Sequence, residues 1–124
     1  MKYKALALDL DGTLTNREKK VPAGNKEAIE KAIDAGVKVI LASGRPLFGI
    51  TPIARELELD KKGGYILAYN GGCIVDCKTG KQMSATIMPQ DCIADICSLA
   101  RANGVYALTY ACLLYTSPSP RDCS

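Results

Sequence analysis

The chain has 124 residues, of which 48% are hydrophobic and 23% charged, with a formal net charge of +3. That composition argues against a disordered tail, a collagen-like repeat and a coiled coil, and the length suits one domain or a piece of a larger one. The charge excess is small and its lysines are spread along the chain, so nucleic acid is not an expected partner. No apolar run approaches the roughly 20 residues of a membrane span, so no membrane is expected either.

The N-terminus, MKYKALALDLDGT, pairs a positive start with a short apolar run. Asp9 and Asp11 interrupt that run and no small-residue cleavage site follows, which argues against a signal peptide and for a cytoplasmic location. Tyr3–Leu10 reads as a buried strand that ends in a loop at Asp9–Gly12. Asn16–Lys20 is a polar, charged loop. Pro22 opens a helix whose apolar positions, Ala28, Ile29, Ala32 and Ile33, recur at helical spacing, and Gly36 caps it.

Val37–Ala42 is β-branched and apolar, a second buried strand. Ser43-Gly44-Arg45-Pro46 breaks it. Leu47–Leu57 predicts a second helix with Pro52 inside it, Lys61–Gly64 a turn, and Tyr65–Tyr69 a third strand ended by Asn70-Gly71-Gly72. This β-α-β-α-β order implies a parallel sheet with right-handed crossovers. The pattern then changes. Cys73–Asp76 and Lys81–Ile87 predict a hairpin around Cys77–Gly80. Pro89–Asn103 has a helical apolar face, and Val105–Tyr110 reads as a strand. This second block looks like the start of an attached α+β module.

Histidine is absent, which excludes His-ligated metal sites and every triad with a His base, and there are six cysteines. The pairs Cys73/Cys77 and Cys92/Cys97 have C-x3-C and C-x4-C spacing, but their flanks are strand-like and helix-like rather than knuckle turns. Free thiols in a reducing compartment are therefore expected over a zinc site. Asp91 and Asp95, four apart on the later helix, read as a solvated face. Residues 112–122, CLLYTSPSPRD, lack any amphipathic period and contain two prolines. They resemble one reading frame of a transposon-end sequencing adapter, so residues 112–124 are expected not to be native.

The chemistry concentrates at two strand ends. Asp9-Leu10-Asp11-Gly12-Thr13 sets two carboxylates two residues apart, and alternate residues of a strand face one side. They lie at the C-terminal edge of the sheet, where open α/β folds bind ligands. Neighbouring carboxylates repel, so the site wants a cation, and oxygen donors select a hard one such as Mg²⁺. Gly12 lets the chain turn sharply out of the strand. At the next strand end, Ser43-Gly44-Arg45 offers a hydroxyl and backbone N–H groups just before a helix, an anion-binding corner.

DLDGT at residues 9–13, following an apolar strand, resembles motif I of the haloacid dehalogenase-like superfamily. LASGRP, Leu41–Pro46, resembles its motif II. YNGG, Tyr69–Gly72, resembles the third-strand ending of the Cof-type sugar-phosphatase-like branch, which carries a type IIB cap. The resemblance covers about residues 3–111. It implies an α/β fold: the N-terminal part of a Rossmann-like parallel-sheet core over residues 1–72, then the beginning of an α+β cap over 73–111.

The resemblance also implies a Mg²⁺-dependent phosphatase acting on a small phosphorylated metabolite, with a sugar phosphate as one candidate. Asp9 is then the nucleophile and Asp11 the general acid and base. Mg²⁺ sits on the Asp9 carboxylate and the Asp11 main-chain carbonyl. Ser43 holds a phosphoryl oxygen, Gly12, Thr13 and Gly44 shape the pocket, and Arg45 and Asn70 approach the substrate. The lysine of motif III and the acids of motif IV have no counterpart in the chain, so the 124-residue polypeptide is expected to have little activity by itself. Alternatives are a phosphomutase or sucrose-phosphate-type relative, and a non-catalytic binding protein. Leu10 argues against the DKTGT-bearing cation pumps, and retention of both aspartates argues against the non-catalytic alternative.

Overall fold

The computed structural model describes residues 2–109 and 121–122. Contacts divide the chain into two compact units, Met1–Ala85 and Thr86–Ser124.

The first unit is built on a five-stranded sheet in the order β1-β2-β3-β4-β5. β1 (Ala5–Asp9) pairs in parallel with β2 (Lys38–Ala42), and β2 pairs in parallel with β3 (Tyr65–Ala68). The connections between them are helical, as parallel neighbours require. α1 (Ala23–Asp34) follows Pro22 and ends in a two-bond cap. There the Gly36 N–H donates to the Ile33 carbonyl at 2.9 Å and the Val37 N–H to the Ala32 carbonyl at 3.0 Å. α2 (Leu47–Glu56) begins after Pro46 and runs through Pro52, which has no N–H to donate to Phe48. A short α3 (Leu59–Lys62) fills the segment in which the sequence suggests only a turn.

The core forms where one sheet face meets these helices. Val39 and Leu41 of β2 are fully buried, as are Ile50, Leu57 and Leu59 from α2, the residue that caps it, and α3. Ile29 of α1, Ile53 and Ala54 of α2, and Ile66 and Ala68 of β3 complete it. Burying a Leu, Ile or Val side chain contributes about 1.5–3 kcal/mol, so this cluster dominates the stability of the unit.

Two expectations need correction. β1 reads as a buried strand, yet Ala5, Leu6 and Ala7 are exposed and only Leu8 is half-buried. β1 lies at the edge of the sheet, with a single paired neighbour among the described strands. The hairpin of β4 (Cys73–Asp76) and β5 (Gln82–Ala85) forms as expected, but it extends the first sheet rather than opening a separate block. β4 runs antiparallel to β3, with Ala68 opposite Cys73. The reversal is made by Tyr69, Asn70 and Gly71, which take φ of 52°, 56° and 90° in succession. The compact unit therefore closes at Ala85, and not at residue 72 where the pattern changes.

In the second unit, α4 (Asp91–Ala102) buries Cys97, while Asp91 and Asp95 are exposed as expected. β6 (Leu108–Thr109) pairs antiparallel with β7 (Arg121–Asp122). Apart from the backbone of that short strand, the 112–124 segment lies outside the described residues. Cys73, Cys77 and Cys92 are not in disulfides, whereas Cys97 is disulfide-bonded, against the expectation of thiols throughout. Among the described residues no cluster of His, Cys, Asp or Glu could hold a metal ion through three side chains, and no helix is long and apolar enough to cross a membrane.

Candidate active site

Every residue proposed by sequence for catalysis or ligand binding falls at or just beyond the C-terminal ends of β1, β2 and β3. The parallel register sets Asp9 opposite Ala42, so the chain leaving β1 and the chain leaving β2 emerge side by side. After Asp9 the backbone folds back on itself. The Leu14 N–H donates to the Asp9 carbonyl at 3.1 Å. The Leu10 carbonyl accepts from the Thr13 N–H at 3.1 Å, the Thr15 N–H at 2.9 Å and the buried Thr15 hydroxyl at 3.0 Å. Leu10 and Leu14 anchor this turn in the core, with 0% and 2% exposure. Asp9, Asp11, Gly12 and Thr13 stay on its exposed side. Gly12 adopts a φ of +80°, which side-chain-bearing residues rarely take, so the turn depends on it.

The ends of β2 and β3 are tied together past the sheet. The Ser43 N–H donates to the Leu67 carbonyl, the Asn70 N–H to the Ser43 carbonyl and the Tyr69 N–H to the Arg45 carbonyl, each at 3.0 Å. Ser43 is buried, and its hydroxyl accepts from the Arg45 N–H at 3.1 Å. Gly44 lies against Asn70: a Cβ on Gly44 would come within 3.0 Å of the Asn70 Oδ1. Asn70 itself holds a left-handed backbone, a strained conformation of the kind that concentrates at functional sites.

Arg45 joins the two halves. Its Nε donates to the Asp11 Oδ2 at 2.9 Å, its Nη2 donates to the Asp11 Oδ1, and its Nη1 donates to the Gly49 carbonyl at 3.1 Å. The two-pronged grip holds the Asp11 carboxyl below the usual carboxylate range; desolvation opposes it, and the charges of Arg45 and then Lys19 add lesser lowering effects. The same bond raises the Arg45 guanidinium above its ordinary value. Asp9, by contrast, has no side-chain hydrogen bond or ion pair among the described residues.

The donor atoms suit a hard cation in part. The Asp9 carboxylate is exposed, and no hydrogen bond to the Asp11 carbonyl is found among the described residues. The Asp11 carboxylate is engaged by Arg45, so Asp11 offers its carbonyl more readily than its side chain. These are the two oxygens that the motif resemblance assigns to Mg²⁺.

Sequence reasoning did not single out the pocket beside this turn. It has a volume of about 520 Å³ and is lined by Asp11, Gly12, Thr15, Asn16, Arg17 and Lys19. The signal available was Asn16, whose side chain closes a polar loop on itself.

Parallel strands with helical crossovers, and an acidic DxD turn at their C-terminal edge beside a Ser-Gly-Arg corner, define an open α/β fold with a candidate ligand-binding edge. Residues 6–119 match the family model for haloacid dehalogenase-like hydrolases, and the chain belongs to that family. A 5-amino-6-(5-phospho-D-ribitylamino)uracil phosphatase of Bacillus subtilis is 37% identical over 108 residues, covering 86% of this chain and 35% of its own length. A haloacid dehalogenase-like hydrolase from Bacteroides thetaiotaomicron superposes with a TM-score of 0.80 at 41% identity, covering 88% of this chain and 41% of that one. A HAD subclass IIB sugar phosphatase superposes with a TM-score of 0.70 at 25% identity, covering 87% of this chain and 41% of that one. The chain thus spans about two fifths or less of the length of these relatives.

Proposed function

We propose that the full-length protein is a Mg²⁺-dependent cytoplasmic phosphatase that hydrolyses a small phosphorylated metabolite through an aspartyl-phosphate. The observation that carries this reading is the convergence of Asp9, Asp11, Ser43, Arg45 and Asn70 at three adjacent strand ends, linked by the Arg45–Asp11 pair and the Asn70–Ser43 bond. The relatives support the substrate class: one is named for a phosphorylated ribitylaminouracil, another for sugar phosphates.

In this mechanism an Asp9 carboxylate oxygen attacks phosphorus, and the ester P–O bond breaks. Asp11 gives a proton to the departing alkoxide. A water then attacks the phosphorus of the aspartyl-phosphate and gives its proton to Asp11, and the bond between phosphorus and the Asp9 oxygen breaks. Asp9 is suited to attack because nothing in the described residues engages its carboxylate. Arg45 keeps Asp11 ionised before substrate arrives, which favours its later service as base. For Asp11 to act first as acid, it takes up a proton from the arriving phosphate monoanion, and the guanidinium must loosen its grip at that point. The Ser43 hydroxyl and the N–H groups of the Gly12 turn orient phosphoryl oxygens. The Asp9 carboxylate and the Asp11 carbonyl would hold Mg²⁺, which when bound would neutralise charge on the transferred group.

The test is phosphate release by the full-length protein from a panel of phosphomonoesters, with and without Mg²⁺. Metal-dependent release, abolished in Asp9→Asn, is the expected result. Release that persists in Asp9→Asn would overturn the assignment.

A further inference from the structure

The pocket beside Asp11 has a positive wall that the proposed chemistry does not use. Of its six lining residues, three carry charge: Asp11, Arg17 and Lys19. Asp11 is already matched by Arg45. Neither Arg17 nor Lys19 forms an ion pair among the described residues, and Glu18, the acid between them, does not line the pocket. Two cationic side chains therefore face one cavity, and the acid that shares it, Asp11, is held by Arg45.

Their loop is held in shape. The Asn16 Oδ1 accepts from the Glu18 N–H at 3.0 Å and the Lys20 N–H at 3.1 Å. The Asn16 N–H donates to the Lys20 carbonyl and the Lys19 N–H to the Asn16 carbonyl, both at 2.9 Å. Lys19 is fixed at a φ of 61°, a conformation that a lysine reaches only when its surroundings impose it. Lys19 also lies near enough to Asp11 for its charge to lower that carboxyl. A cationic side chain on a preformed loop, lining the same pocket as the proposed acid, is well placed to meet the part of a substrate that leaves.

We propose that this pocket selects phosphomonoesters carrying a second anionic group, a carboxylate or another phosphate, which Arg17 and Lys19 bind. The proposal rests on the phosphatase reading and names its substrate class. The volume of about 520 Å³ suits a ligand of metabolite size. An anion in an open pocket is held by Coulomb attraction that salt screens, so the preference is strongest at low ionic strength.

The experiment compares matched esters on the full-length protein. 3-Phosphoglycerate against glycerol 1-phosphate tests a carboxylate, and glucose 1,6-bisphosphate against glucose 6-phosphate tests a second phosphate. Both kcat/KM and calorimetric affinity are measured. The wild type is expected to favour the more anionic member of at least one pair, and the pair that responds identifies the anion. In Lys19→Asn, which keeps a residue tolerant of positive φ, and in Arg17→Gln, the preference falls, by about tenfold when both are combined, the size of two modest ion pairs. The loss appears in KM and affinity. A preference that is absent in the wild type, or unchanged in both variants, overturns the proposal. Turnover without such a preference leaves the phosphatase reading intact. Anion-dependent binding without turnover refutes the phosphatase reading and keeps the pocket.

Discussion

The Arg45 guanidinium grips both carboxylate oxygens of Asp11 across the gap between the ends of β1 and β2, and its remaining nitrogen is anchored on the Gly49 carbonyl in α2. Thirty-four residues apart in sequence, the two form the link between the acidic turn and the anion-binding corner. The Asp11 side chain is 54% exposed and that of Arg45 21%, so the pair positions more than it stabilises.

The first prediction concerns Arg45. Replacing it with Met removes the bond that depresses the Asp11 carboxyl, so that carboxyl titrates at higher pH than in the wild type. Carbon-detected NMR titration of the Asp11 side chain reads the change. The sign follows from linkage: a folded-state pKa below the unfolded one gives stability that is present above the unfolded value and lost as pH falls through the folded one. Arg45→Met should therefore flatten the acid limb of the stability profile. An unshifted Asp11 would show that the ion pair does not persist in solution.

The two aspartates should fail differently. In the full-length protein Asp9→Asn removes the attacking oxygen and should abolish phosphate release. Asp11→Asn removes proton transfer and should lower kcat by about 10²–10⁴. The loss in Asp11→Asn should be smaller for an ester with an acidic leaving group, such as p-nitrophenyl phosphate, which needs no proton to depart. Equal losses on both ester types would count against Asp11 as the acid.

Cys77 supplies an alkaline test. Burial pushes its thiol up to about 11, with Asp76 and Asp60 adding to the shift. The folded protein holds this proton more tightly than the unfolded chain does. Its contribution is complete below the unfolded value and declines as pH rises toward 11. Urea unfolding at pH 8 and pH 10 should show a larger loss for the wild type than for Cys77→Ala, and thiol reagents should label Cys77 slowly at pH 8. Rapid labelling at pH 8 would contradict the burial.

Gly44 and Gly64 make a controlled pair. A Cβ on Gly64 would sit 2.9 Å from the Val39 carbonyl oxygen, a backbone atom at the centre of the sheet. Gly64→Ala should cost about 1–3 kcal/mol, the usual penalty of overpacking. On Gly44 the nearest atom is the tip of the exposed Asn70 side chain, which can swing away. Gly44→Ala should cost less than about 1 kcal/mol while displacing Asn70 from the site. Chemical denaturation of the two variants checks the order, and a larger loss in Gly44→Ala would reverse the packing argument.

Much of the first unit was legible because each signal is local. The apolar spacing of α1, the β-branched run of β2 and the Gly36 cap all act within a few residues, and each element formed within a residue or two of where its pattern lies. The reversal at Tyr69–Gly71 was also written locally, since Asn-Gly is a strong hairpin signal. It reads instead as a plain strand ending because a βαβ pattern leads up to it. α3 was missed because its four residues are too few to show a period.

The sequence by itself determined which chemistry-bearing residues lie at which strand ends: a carboxylate pair at residues 9 and 11 after an apolar strand, a hydroxyl and an arginine after the next, an asparagine after the third. Alternation and turn chemistry are short-range, so one chain read in order suffices for that. Tertiary structure decided what those residues do to one another. It paired Arg45 with Asp11 rather than leaving it to solvent, put β1 at an exposed edge, folded the hairpin back into the sheet, and turned Arg17 and Lys19 toward a shared cavity. Pairing, register and the direction of a long side chain depend on groups far apart in sequence, and only the folded chain brings them within the few ångströms over which charges and hydrogen bonds act.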